Sequence, residues 1–108
     1  MKVLARPTDR GKECLSELLN DARDRASCSE WGEFAQWISE RSGIAVTKDA
    51  VYKIAKGRYE IEPPARVLYA LTLANTNLLQ FRNDGGRMSL QEVYDLLYER
   101  RKIDGSLT

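Results

Sequence analysis

The stretch TKDAVYKIAKGRYE, Thr47 to Glu60, decides how the rest of the chain is read. Apolar side chains fall at Val51, Ile54 and Ala55, the spacing of one buried helix face. Between and around them stand Lys48, Lys53 and Lys56, with Arg58 just beyond a glycine. Thr47 is placed to cap such a helix, and Gly57 to end it by taking the left-handed conformation. From Thr47 to Arg58 four bases face a single acid, Asp49. A helical projection turns Lys48, Asp49, Tyr52, Lys53 and Lys56 outward. The segment predicts a short, anchored helix with a basic outer face.

Immediately upstream, Trp31, Phe34, Ala35 and Ile38 mark the buried face of another helix, with Trp37 at its edge and Gly43 at its stop. Ser27 and Glu30 have the spacing of a capping box before it. Two short helices joined by a glycine-containing turn are the layout of a helix-turn-helix, here over about residues 30–58. Such a unit needs its second helix anchored by one face while the N-terminal outer face stays free to enter a major groove. Lysine can donate to guanine, aspartate can accept from cytosine, and Tyr52 can meet a thymine methyl or a phosphate. Lys48, Asp49, Tyr52 and Lys53 are thus the base-reading candidates. Thr47, Lys56, Arg58 and Arg41 are the phosphate candidates.

The segment from Thr47 to Arg58, followed by Pro63, resembles the end of the helix-turn-helix in the Cro/lambda-repressor-like (XRE) regulators. The resemblance covers roughly Trp31 to Ala74. It implies a compact all-helical domain that binds double-stranded DNA, usually as a dimer on a two-fold operator. The chain departs from the family at Ala55, where an acid is common, and at Trp31, where a phosphate-contacting glutamine is usual. Its turn is also longer, because Ile44, Ala45 and Val46 separate Gly43 from Thr47.

The remaining periodicity is helical as well. Leu15, Leu18, Leu19 and Ala22 stripe a first helix over about 10–25, capped by Thr8 or Asp9. Pro63-Pro64 opens a fourth helix whose apolar positions are Val67, Leu68, Leu71 and Ala74, widened by Tyr69 and Leu73. Residues 75–87 read as a linker, with Leu78, Leu79 and Phe81 against the body and a turn at Asn83-Asp84-Gly85-Gly86. Ser89 and Glu92 cap a last helix over about 90–102. Its set Leu90, Val93, Tyr94, Leu97 and Tyr98 serves either a homodimer seam or the chain's own core. The expected fold is an all-α compact bundle of about five helices in one domain, residues 1–108.

Composition narrows the function. The chain has 108 residues, 43% hydrophobic and 31% charged, with a formal net charge of +1. From Asp9 to Glu33 seven acids outnumber four bases, so positive charge is segregated onto the opening stretch and onto Arg100, Arg101 and Lys102. There is no histidine, and the two cysteines, Cys14 and Cys28, match no zinc spacing. Two idle thiols are the simpler reading. Without histidine, the commonest general base and the usual partner of a nucleophile, and without a phosphate-cradling glycine loop, no enzyme, cofactor or metal is expected. Nothing approaches a membrane span or a secretory leader, so the expected compartment is the cytoplasm. Lys2 and Arg6 belong to an arm with the charge to reach a minor groove. Two readings stay open: a DNA-binding homodimer, and a helical protein-interaction module without direct DNA readout.

Overall fold

A computed structural model describes residues 6–74, 79–80 and 88–107. The linker turn at Asn83–Gly86, the side chains of Ala74, Leu78 and Phe81, and Lys2 of the arm lie outside the described residues. Five α-helices appear among the described residues: α1 Asp9–Arg25, α2 Trp31–Ser42, α3 Lys48–Ala55, α4 Ala65–Ala74 and α5 Leu90–Leu97. No strand appears among them; Arg101 and Leu107 form an isolated antiparallel bridge. The molecule is an all-α compact bundle with a radius of gyration of 13.1 Å. No described helix is long and apolar enough to cross a membrane.

α1 forms where its stripe predicts. Thr8 caps it, accepting the Gly11 N–H at 3.0 Å, and Leu15, Leu18, Leu19 and Ala22 are fully buried. It ends without a glycine. Ser27 takes φ +60°, its N–H donates to the Asp24 carbonyl at 3.0 Å, and the Cys28 N–H reaches the Arg23 carbonyl at 3.2 Å. These two bonds close the helix end. That geometry removes Ser27 from the capping box proposed for α2. The residue before α2 is Glu30, whose side chain makes no capping bond, while Ser29 donates to Glu33 at 2.7 Å instead.

α2 packs on α4 and α3, α1 packs on α5 and α3, and α4 meets α5. Phe34 and Ile38 sit fully buried at the centre, with Leu68, Leu71, Met88 and Leu96. Leu79 is also buried, as expected of the linker. Tyr69 and Leu73, one turn apart on α4, remain 49% and 41% exposed. Their side of α4 therefore makes no second burial contact among the described residues.

The last helix is shorter than its sequence predicts. Leu97 is its final residue, and Glu99 turns to φ +56° while its N–H donates to the Leu96 carbonyl at 3.1 Å. The Arg100 N–H then bonds the Asp95 carbonyl at 2.7 Å. Arg100 to Lys102 consequently lie in the turn that follows α5, not on a helix.

Candidate nucleic-acid interface

Val51, Ile54 and Ala55 are 0%, 1% and 2% exposed, so α3 is held by the three positions whose spacing marked them. At its start the Thr47 hydroxyl accepts the Ala50 N–H at 3.2 Å. At its end Gly57 takes φ +66°, with its N–H on the Ile54 carbonyl at 3.1 Å and the Arg58 N–H on the Lys53 carbonyl at 2.8 Å. A Cβ at that φ carries a steric penalty, which explains the glycine.

The long turn before α3 is pinned by serines of α2. Ser39 Oγ accepts the Val46 N–H at 2.9 Å and also lies 3.1 Å from the Val46 carbonyl, to which it can donate. Ser42 Oγ accepts the Ile44 N–H at 3.1 Å. With Val46 itself buried, the extra residues form a fixed strut. α1 braces the other end of α3: the Ser16 hydroxyl donates to the Ala55 carbonyl, and the Lys12 ammonium donates to the Tyr59 carbonyl. Lys12 also lies over the Tyr59 ring, 5.1 Å from its centroid. Tyr59 is held by packing, and burial pushes its phenol pKa far above the usual value.

On this frame Thr47, Lys48, Asp49, Lys53, Lys56 and Arg58 are all exposed, and Tyr52 is half-buried. None of Lys48, Lys53, Lys56 or Arg58 pairs with a carboxylate among the described residues. Lys56 Nζ and Arg58 Cζ lie 5.5 and 5.7 Å from the Tyr52 ring centroid. The stem of Lys48 runs beside Gly32 at the start of α2, where a Cβ would meet Lys48 Cδ at 3.7 Å. Arg41 is exposed at the last turn of α2 and stacks on Trp37 at 4.5 Å. Trp37 in turn stacks on Phe34, and Trp31 meets Phe34 edge-on. Both tryptophans thus serve the core.

The C-terminal set divides. Val93 and Leu97 are fully buried in the chain's own core, so of the seam candidates only Leu90, Tyr94 and Tyr98 keep partial exposure. Tyr98 is engaged, donating its hydroxyl to Glu62. Arg100 pairs with Asp95 at 2.9 Å, and Arg101 reaches Glu92 at 3.9 Å and the Gly105 carbonyl at 2.8 Å. Cys14 is buried and Cys28 half-buried, both as free thiols, and burial raises the pKa of each.

Sequence reasoning missed Lys12, Ser16, Ser39 and Ser42, the residues that aim α3. Nothing local marks them, since Lys12 and Ser16 act on residues 47 and 39 positions away. Comparison with protein-family models, with curated proteins and with solved structures finds no match to this chain.

Proposed function

We propose that the chain is a sequence-specific regulator of transcription that binds double-stranded DNA, with α2 and α3 as its helix-turn-helix. The observation that carries this reading is the contrast between the two sides of α3. One side is buried to within 2%. The other carries four cations that are exposed and have no carboxylate partner among the described residues. Unpaired cations on a rigid convex helix suit a polyanion, because releasing condensed counterions from DNA drives binding. In this reading Lys48, Asp49 and Lys53 face the base edges, and Lys56, Arg58 and Arg41 the phosphates. Thr47, its hydroxyl engaged in the cap, sits at the phosphate-facing start of α3. No cofactor enters the scheme.

A homodimer on a two-fold site is part of the proposal, with Leu90, Tyr94 and Tyr98 as the residues still available for a seam. Selection from random duplexes, followed by affinity measurements at two salt concentrations, tests it. A palindromic motif bound with steeply salt-dependent affinity is expected. No enriched motif and no salt dependence would sink the reading.

One observation favours a second reading, a helical protein-interaction module. Tyr69 and Leu73 present an exposed apolar pair on α4, a different helix from the one that carries the cations. Reversing the charges at Lys48 and Lys53 would then leave partner binding intact.

A further inference from the structure

Two long cationic side chains converge on one aromatic ring at the end of α3. Lys56 Nζ and Arg58 Cζ both lie within 6 Å of the Tyr52 centroid, at 5.5 and 5.7 Å. Like charges repel, and ordering either side chain costs rotamer freedom, so this convergence needs a cause. The ring supplies it, since its negative face attracts each cation. The backbone supplies the rest. Gly57 at φ +66° and the Arg58 N–H bond to the Lys53 carbonyl fold Arg58 back towards the helix. Lys12 packs beneath Gly57, 3.7 Å from where a Cβ would stand, so the turn has support from α1. Tyr52 itself is half-buried and held in place by its own helix.

We propose that Tyr52 is a positioning residue, not a base reader: it holds Lys56 and Arg58 as a two-cation clamp for neighbouring phosphates of one DNA strand. This rests on the DNA-binding reading above. A thymine methyl would have to compete for the ring with two cations already drawn to it. The cations, pre-ordered without being neutralised, meet the backbone with less freedom to lose.

The test is the slope of log affinity against log salt on a selected duplex, for Tyr52→Phe, Tyr52→Leu, Lys56→Ala/Arg58→Ala and the triple variant. Each phosphate contact contributes about 0.9 to that slope. Tyr52→Phe keeps the ring and should match wild type in slope and base preference. Tyr52→Leu should lower the slope by about 1 without changing base preference. Lys56→Ala/Arg58→Ala should lower it by about 2, and adding Tyr52→Leu to that pair should change nothing further. The clamp is overturned if Tyr52→Leu weakens binding equally in both backgrounds, or if base preference relaxes while the slope holds. A loss of affinity in Tyr52→Phe overturns it too, and that arm decides even where Tyr52→Leu does not fold. Wild-type protein without salt-dependent binding would overturn the DNA reading itself, a failure distinct from the others.

Discussion

α3 and α5 are each eight residues long and are built from the same local parts. A hydroxyl caps each start, Thr47 on the Ala50 N–H and Ser89 on the Glu92 N–H. A left-handed residue closes each end, Gly57 in one and Glu99 in the other. They differ in what surrounds their outward charge. Around α5, Arg100 is bonded to Asp95 and Tyr98 to Glu62, and Arg101 lies 3.9 Å from the Glu92 carboxylate. Around α3, four cations have no carboxylate partner among the described residues. Equal local construction with opposite charge pairing separates a helix whose charges are spent within the fold from one whose cations are not.

The largest expected effect breaks the α5 side. Gly11 of α1 lies against the end of α5: a Cβ there would stand 2.0 Å from the Leu97 carbonyl oxygen and 2.6 Å from its carbon. The Thr8 N–H also donates to that oxygen, at 3.1 Å. On an isolated helix Gly→Ala would stabilise by about 1 kcal/mol. Here a backbone would have to move, and overpacking of that kind costs about 3 kcal/mol or more. Gly11→Ala should therefore destabilise by about 2 kcal/mol or more in denaturant titration. A stability gain would show that α1 and α5 do not approach this closely.

On the α3 side the expected effect falls on binding instead of stability. Lys48→Ala/Lys53→Ala removes the two donors proposed to face the bases and should weaken binding to a selected duplex by about 2 kcal/mol, roughly thirty-fold. Stability should change by less than about 0.5 kcal/mol, as for exposed substitutions away from packing. Arg100→Ala should do the reverse, loosening the end of α5 by a few tenths of a kcal/mol, about what an exposed ion pair contributes, with DNA affinity unchanged. Equal effects of the two variants on affinity would erase the distinction between the helices.

The helix ends sharpen it further. Gly57→Ala puts a Cβ at φ +66° and should cost about 1 kcal/mol, the penalty of a left-handed non-glycine residue. Glu99→Gly relieves that same penalty at φ +56°. Its gain should be smaller, about 0.5 kcal/mol, because glycine also frees the unfolded chain. Thermal unfolding of the two variants should move in opposite directions.

The same two helices show what sequence could and could not reveal. Anchors, caps and stop of α3 were legible because each is a local signal: a 3.6-residue period, a threonine at the start, a glycine at the end. The end of α5 was not, because no glycine marks it and Glu99 takes the left-handed turn at a steric cost. Ser27 misled for a related reason. It has the spacing of a cap for α2, yet the end of α1 claims its backbone first. Gly11 carries no local signal of its role, since its reason is the Leu97 carbonyl 86 residues later. Ser39, Ser16 and Lys12 escaped because a serine or lysine on a helix carries no sign of the distant carbonyl it will meet. The exposed face was readable, whereas the bonds that aim it were tertiary.

The smallest effect concerns pH and the α5 side alone. The Tyr98 hydroxyl donates to Glu62, and ionising it would set a phenolate against a carboxylate. That hydrogen bond, with some burial behind it, pushes the Tyr98 pKa from 10.0 up to about 12. A folded-state pKa above the unfolded one means that the folded chain holds its proton longer. The bond's contribution is therefore complete below pH 10.0 and fades as pH rises to about 12. Tyr94 and Tyr59 are raised as well, chiefly by burial, so they add to the same alkaline loss. Tyr98→Phe should consequently reduce the fall in stability over this window without abolishing it. Because Tyr98 is partly exposed, solvent screening keeps the difference small, and denaturant midpoints on either side of the window are the measure. An identical alkaline loss in wild type and Tyr98→Phe would mean that Glu62 does not hold the Tyr98 proton. α5 would then be held by its buried face, its Ser89 cap and the Arg100–Asp95 pair, without help from Glu62.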